Sequence, residues 1–407
     1  MKRQLLNGKI DGETMYGNIR PEHANGVFIY SESKKYHDLR SGLWNISLGY
    51  EDYIYKSVNQ RFSDLLRLKI PYIDSFSYDN ALYSEVTNQI DKLTNYDFSN
   101  IVFTNSGSEN TELAIKINAL YHKNNKKKKI IAFKGSYHGN FFGGMSVSGI
   151  DIFLNASLPL LSEDIIFIPF PENSYEEELV LHRINELADS TSMLIAEPVL
   201  GSAGVSFTSI NFWNEVLSIT EKNNILTLFD EVATGFYRTG SAFYYQNLKH
   251  VPDILSLSKG INNGINPFGA LLFKENIKSK LSQEPIEHFS TQNGNLLGFV
   301  AANVVLDIYL KTGSEIKNKV KSIEKIINEK ATQYHIEAHV IGAMASFPVH
   351  NINTTNLIDE LTNKNLLTYY YSNDKSFGIT IFPMYNENIE VFEKALDVLF
   401  KTILRYQ

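Results

Sequence analysis

From about residue 100 onward, short apolar runs alternate with longer stretches whose apolar positions recur at helical spacing. Residues 101–104 form a β-type run, and 108–121 follow with Leu113, Ile117 and Leu120 on one helical face. Further buried-strand candidates are 129–133, 192–196, 225–229, 254–257 and 270–273, most of them separated by helical or loop stretches. Strands alternating with helices predict an α/β fold with a largely parallel sheet covered on both faces. Such sheets gather their ligands at the carboxyl ends of the strands. After about residue 312 the texture changes. A Lys-rich amphipathic stretch at 314–330 leads to strand-like pieces around 336–340 and 379–382, and an amphipathic helix at 389–404 closes the chain. This part reads as a smaller α+β domain. The first forty residues are polar and turn-rich, and the pattern leaves their elements open.

Composition narrows the function classes. At 407 residues, with 43% hydrophobic and 20% charged positions, the chain has an ordinary globular composition and room for two domains. The net charge of −7, with no long basic stripe, argues against nucleic acid as a partner. Cysteine is absent, which excludes disulfides, thiolate metal sites and a cysteine nucleophile. Residues 1–16 lack the apolar core of a signal peptide. The longest apolar stretch, 295–310, is interrupted by Asn303 and Asp307 and falls short of a bilayer crossing. The expectation is a cytoplasmic protein with no membrane partner. The lysine run at 126–129 reads as a helix end and solvated loop.

Chemistry-bearing residues follow the predicted strands. After 101–104 come Asn105, Ser106, Gly107, Ser108 and Glu109, then a helix. A Gly-containing turn at a helix N-terminus offers open N–H groups and the positive dipole end, which suit a phosphate. The plain alternative is a helix cap, with Ser108 capping and Glu109 favouring the dipole. After 129–133 comes Gly135-Ser136-Tyr137-His138-Gly139, where an aromatic ring beside glycines can lie flat on a planar ligand. After 225–229 comes Asp230-Glu231-Val232. A carboxylate at the end of a buried strand needs a cationic or hydrogen-bonding partner, and a pyridinium N–H is one. After 254–257 comes Ser258-Lys259-Gly260. Desolvation at such a place lowers a lysine's pKa and frees its amine as a nucleophile.

His335, Glu337 and His339 alternate, and a strand there would set all three on one face. No fourth ligand accompanies them, so they read as an ordinary half-exposed strand and no metal is expected.

Together these residues resemble the class III aminotransferases, of the ornithine and ω-amine type, which are pyridoxal-phosphate (PLP) enzymes of fold type I. Asn105–Glu109 resembles the family's N-S-G-S-E phosphate turn, Tyr137-His138-Gly139 its Y-H-G aromatic step, and Glu197-Pro198 its E-P step. DEVATGFYRTG at 230–240 is similar to its D-E-V-x-T-G-F-G-R-T-G signature, with Tyr237 where glycine is usual. Ser258-Lys259-Gly260 resembles the Schiff-base lysine, HFSTQNGN at 288–295 the segment that reaches a neighbouring subunit's phosphate, and Gly42-Leu43-Trp44 the ω-amine branch. The resemblance covers residues 38–310 well and the C-terminal part loosely.

The resemblance implies a large PLP-binding domain at 41–310 with a mostly parallel sheet flanked by helices. It also implies a small domain at 311–407 and an N-terminal segment, 1–40, packing with the small domain. Lys259 would carry the cofactor as a Schiff base and shuttle a proton. Asp230 would pair with the ring nitrogen, Tyr137 and Val232 would sandwich the ring, and His138 and Glu197 would lie at the cofactor's edge. Gly107 and Ser108 would hold the phosphate, with Ser290 and Thr291 contributed across a homodimer. The activity implied is transfer of an amino group from an amine or amino acid, a distal ω-amine included, to a keto acid or aldehyde. A racemase or epimerase, an aminomutase or a decarboxylase is the alternative on this scaffold.

One departure bears on the substrate. Family members that use glutamate commonly carry a C-terminal arginine that forks onto its carboxylate. This chain has eight arginines and none between 239 and 404, with Ile341-Gly342 and the segment 378–384 at the usual places. The expectation is a donor without a carboxylate at that position, or a substitute in Arg20 or Arg40. Trp44 and Arg40 are the substrate-pocket candidates, and Arg238 is expected to brace its own turn.

Overall fold

The computed structural model describes residues 19–70, 72–73, 77–150, 162–282, 285–349, 354–373 and 375–406. The stretch 1–16, whose lack of an apolar core bears on targeting, lies outside them, as does most of the first half of the N-terminal segment 1–40.

Three short strands open the described chain: β1 (His23–Asn25), β2 (Phe28–Ser31) and β3 (Lys34–Asp38). The central sheet follows, from β4 (Asn100–Thr104), β5 (Lys129–Phe133), β6 (Ile165–Ile168) and β7 (Thr191–Ala196). A small ladder of β8 (Val199–Leu200) and β9 (Ser206–Phe207) intervenes before β10 (Leu226–Asp230), β11 (Ile254–Leu257) and β12 (Gly269–Phe273). The later strands are β13 (His339–Ile341), β14 (Met344–Val349), β15 (Leu366–Leu367), β16 (Tyr369–Ser372) and β17 (Phe377–Ile381).

The central sheet has seven strands in the order β4-β12-β11-β10-β7-β5-β6. All run parallel except β12, which is antiparallel to both neighbours. β7, β10, β11 and β12 are buried along their whole length, as expected of continuous apolar runs covered on both faces. The register pairs Ala196 with Phe229 and Asp230 with Ser256, so the residues just past these positions share one edge of the sheet.

A second sheet, β13-β14-β17-β16, is antiparallel throughout. A third, β1-β2-β3-β15, joins the N-terminal strands to the C-terminal part through the parallel pair β3 and β15. The helix Leu296–Tyr334 runs unbroken for 39 residues from the central sheet to the second one. The apolar stretch at 295–310 and the Lys-rich stretch at 314–330 are therefore one element, whose polar face widens as it leaves the core. Its apolar residues pack on the helices Asp52–Arg67, Ala81–Leu93 and Ile389–Ile403. Just over half of its most apolar 18-residue stretch, 56%, is buried inside the protein.

Two local expectations are corrected. The strand expected at 336–340 begins only at His339, because His335 caps the long helix in a left-handed conformation at φ 55°. His335, Glu337 and His339 consequently do not share a strand face, and His339 meets Glu337 at 3.5 Å.

Tyr237, which stands where the resembled signature usually has glycine, has φ 71° and lies against Gly313 in the long helix. A Cβ on Gly313 would fall 2.1 Å from the Tyr237 hydroxyl. Alanine in a helix interior ordinarily stabilises over glycine by ~1 kcal/mol. Here the sign is expected to invert, Gly313→Ala lowering stability by about 1–2 kcal/mol through overpacking. Tyr237→Phe in the same chain should restore part of the loss in a denaturant melt, since the ring carbon that bore the hydroxyl stays at 2.9 Å. A stabilised Gly313→Ala variant would show that the ring swings aside freely.

Candidate active site

Five strands end on the same edge of the central sheet, and each delivers one part of the site. β11 runs into Lys259, whose backbone sits at φ 44°, a conformation that non-glycine residues hold only when their surroundings impose it. The buried Asn110 amide helps to do so by reaching the carbonyls of Leu257 and Ala270 at 3.0 and 3.1 Å. The Tyr309 hydroxyl holds the Gly260 carbonyl at 3.0 Å from the other side. The Lys259 amine lies 4.3 Å from the centre of the Trp44 ring and has no hydrogen-bond partner among the described residues. Burial lowers its pKa, opposed by the charges of Glu197 and Asp230.

β10 ends at Asp230, which is buried. One carboxylate oxygen meets His138 Nδ1 at 2.9 Å, and the other accepts the Val232 N–H at 3.2 Å. His138 is buried too, and its Nε2 finds no hydrogen-bond partner among the described residues. It reaches the site through Asp230. β7 ends at Glu197, which accepts the Tyr137 N–H at 2.8 Å. That bond fixes the loop after β5 and with it the Tyr137 ring. Glu231, next to Asp230, turns the other way and binds the Tyr244 and Tyr245 N–H groups at 2.7 and 2.9 Å.

β4 ends in the turn before the helix Gly107–Tyr121. Ser106, not Ser108, is the cap, its hydroxyl accepting the Glu109 N–H at 3.2 Å. This correction matters chemically, because it leaves the Gly107 and Ser108 N–H groups open at the positive end of a 15-residue helix. The turn is tightly walled. A Cβ on Gly107 would come within 2.7 Å of Val232, and one on Gly139 within 2.6 Å of Ser108. Ser290 lies on the outer rim, exposed, where it accepts a bond from Asn105 of its own chain at 3.2 Å. Thr291 is exposed beside it, its carbonyl held by the Tyr72 hydroxyl at 2.7 Å.

These residues fit a planar ring bearing a phosphate and a ring nitrogen. The unpartnered amine of Lys259, the carboxylate of Asp230 and the two open N–H groups supply complementary chemistry at one sheet edge. Val232 and Tyr137 stand between them.

The remaining candidates fall differently. Trp44 belongs to the site, with its ring stacked on Phe382 at 4.2 Å and packed close to Gly201. The Arg40 guanidinium lies 3.6 Å from Asp38 and 5.4 Å from the Tyr369 ring. Arg20 is exposed. Arg238 is buried, as a brace between segments: it donates to the carbonyls of Ala343 and Pro383 at 3.2 and 2.6 Å and to the Ser47 hydroxyl at 2.9 Å. Sequence reasoning passed over Asn110 and Asp38. Asn110 could have been noticed as a polar residue on the apolar face of Leu113 and Ile117. Asp38 carries no such signal.

Burial raises the Glu197 carboxyl from its ordinary value of 4.5 to about 7, helped by the charge of Asp230 and opposed by His138 and Lys259. The folded state therefore binds a proton that the unfolded chain has released between these values. The corresponding stability is fully present below pH 4.5 and is lost as pH rises through about 7. Thermal melts of the cofactor-free protein should show Glu197→Gln gaining on the native chain across this window, by up to about 3 kcal/mol. Parallel profiles would remove Glu197 as a buried titrating group.

The family description Aminotransferase class-III matches residues 12–403. An adenosylmethionine-8-amino-7-oxononanoate aminotransferase of Helicobacter pylori is 31% identical over 315 residues, which are 74% of this chain and 70% of that protein. An acetylornithine aminotransferase of Aquifex aeolicus is 30% identical over 311 residues, 74% of this chain and 78% of that one. Among solved structures, the taurine:2-oxoglutarate aminotransferase from Bifidobacterium kashiwanohense, in complex with PLP and glutamate, superposes with a TM-score of 0.86 at 22% identity. It covers 98% of this chain and 95% of its own. A transaminase from the marine bacterium Virgibacillus has a TM-score of 0.86 at 21% identity, covering 96% and 93%. The α/β fold expected from the sequence, with its large, mostly parallel sheet flanked by helices, is the fold of these structures.

Proposed function

The chain belongs to the class III aminotransferases, and on that premise we propose that Lys259 is its reacting amine and that its amino donor carries no carboxylate at the reacting carbon. Its cofactor is pyridoxal phosphate, and its reaction moves an amino group from a donor to a keto acceptor. When bound, the cofactor supplies a protonated pyridine ring that accepts the electron pair left on the substrate carbon.

The chain's own residues divide the remaining work. The Asp230 carboxylate would keep the ring nitrogen protonated, and His138 holds that carboxylate in place. Tyr137 and Val232 would hold the ring, and the Gly107 and Ser108 N–H groups would hold its phosphate. Lys259 Nζ takes the proton from the substrate carbon and hands it on, a role that the lowering of its pKa by burial favours. Borohydride trapping with peptide mapping tests this assignment, and a trapped peptide that excludes Lys259 overturns it.

The substrate reading rests on the wall beside Lys259. The segment 378–384, where the resembled family pattern would lead one to expect an arginine, contributes Phe382, stacked on Trp44. Arg238 directs its donors to carbonyls and Ser47, and Arg40 is held by Asp38. A carboxylate set against two aromatic rings would lose water and gain no partner. Primary amines, or amino acids reacting at a distal amino group, are therefore expected to saturate in a donor panel while glutamate does not. Saturation by glutamate with failure of the amines would reverse this reading.

The same panel separates transamination from a racemase, an aminomutase or a decarboxylase. A transaminase loses its cofactor absorption band on donor alone and regains it with a keto acid.

A homodimer with shared sites belongs to the same proposal. Ser290 and Thr291 are exposed on a rim segment beside the phosphate turn, and Phe142 and Phe289 leave 59% and 61% of their surface uncovered. A fully active monomer in light scattering would dismiss it.

A further inference from the structure

The turn Ser41–Trp44 follows a course that side chains resist. Ser41, Leu43 and Trp44 have φ of 47°, 62° and 66°, and Gly42 between them has 54°. Four consecutive left-handed residues, three of them with a Cβ, require an external constraint. Packing does not supply it at Leu43, whose side chain is 56% exposed.

Besides the Trp44 N–H bond to the Arg40 carbonyl and the Ser41 hydroxyl bond to the Phe382 carbonyl, a buried carboxylate constrains the turn. Asp38, at the end of β3, accepts the Gly42 N–H through Oδ2 and the Arg40 N–H through Oδ1, each at 3.1 Å. The Tyr50 hydroxyl donates to Oδ2 at 2.8 Å, and Arg40 Nε lies 3.6 Å from Oδ1. Both oxygens are therefore fixed by Tyr50 and Arg40 while they hold one N–H of the turn, that of Gly42, and the Arg40 N–H that leads into it. The last residue of that turn is Trp44, whose ring stands 4.3 Å from the Lys259 amine.

We propose that Asp38 is a positioning residue for transamination: it winds Ser41–Trp44 into its left-handed course and so holds the Trp44 ring against Lys259. The effect passes through the backbone, since Asp38 makes no contact with Lys259. It rests on Lys259 being the reacting amine, an assignment that borohydride mapping tests separately.

Asp38→Asn retains one acceptor oxygen and replaces the other with a donor, so either the Gly42 N–H in the turn or the Arg40 N–H before it loses its acceptor. The ring is then expected to leave its place, and kcat/KM for the amine donor to fall by about 10²-fold. Fluorine NMR of the fluorotryptophan-labelled holoenzyme reads the ring directly. The chain has only two tryptophans, and the Trp44 line is the one missing from Trp44→Phe. In Asp38→Asn that line should move toward the position of free fluorotryptophan.

A left-handed course costs glycine nothing, so Leu43→Gly added to Asp38→Asn should bring the line most of the way back and recover part of the activity. Leu43→Gly alone should leave the line in place. An Asp38→Asn line that does not move, or one that Leu43→Gly does not restore, overturns the proposal. Should Asp38→Asn fail to fold, Tyr50→Phe removes one anchor of the carboxylate while keeping its charge. The Trp44 line should then shift in the same direction by less, and an unmoved line overturns the proposal equally.

Discussion

The Lys259→Ala variant is expected to lose about 10⁴-fold or more in kcat, the upper range for a positioned acid–base group, while folding normally. Its side chain makes no hydrogen bond among the described residues, so truncation strands no partner. The backbone that carries it is held by Asn110 and Tyr309, which the substitution leaves alone. Stability should instead rise. Burial lowers the lysine's folded pKa below its ordinary 10.5, so folding works against the charged form at neutral pH. A base shifted down contributes stability above its unfolded pKa and loses it as pH falls through the folded one. Lys259→Met, which fills the same space without an amine, should therefore exceed the cofactor-free native protein in neutral thermal melts, with the gap closing toward pH 10.5. Lost activity with a lowered neutral melt would mark Lys259 as structural.

The sequence made the sheet edge legible for a physical reason. Strands buried on both faces are written as unbroken apolar runs, and the polar residue that ends each run marks where the strand meets the ligand edge. Asp230 and Lys259 were visible because each closes such a run. The order of the strands was not visible. β12 follows β11 directly in the chain and pairs with it as an antiparallel strand, which inserts it between β11 and β4. Nothing in GALLF at 269–273 records the reversal, because a strand buried on both faces reads alike in either direction. The turn Ser41–Trp44 was hidden for a different reason: its conformation is imposed by Asp38, Tyr50 and Arg40, and only Gly42 carries a local signal for positive φ. Ser106 and Ser108 both suit a cap by composition, and only the backbone course distinguishes them.

Asp230→Asn should remove about 10³-fold of kcat, or ~4 kcal/mol of transition-state stabilisation, with little loss of fold. The amide keeps the shape and can still accept the Val232 N–H, but it offers no charge to hold a proton on the ring nitrogen. The effect should therefore fall on kcat more than on KM. A second consequence separates this from general damage. The charge of Asp230 is one of the causes that raise Glu197, behind burial itself, while Glu197 and Asp230 both oppose the lowering of Lys259. Removing one carboxylate should lower the Glu197 pKa and also that of Lys259. In the cofactor-free protein the loss of stability assigned to Glu197 should then be complete at a lower pH than in the native chain. Asp230→Glu tests position instead of charge. It keeps the carboxylate but sets it one methylene further from the backbone, so the 2.9 Å contact with His138 cannot be kept unchanged. Its activity should fall between native and Asp230→Asn, since the ring nitrogen regains a charged partner at a strained distance. An Asp230→Asn enzyme with native kcat would mean that the proton on the ring nitrogen is held by another group, and His138, with its unpartnered Nε2, would be the first to examine.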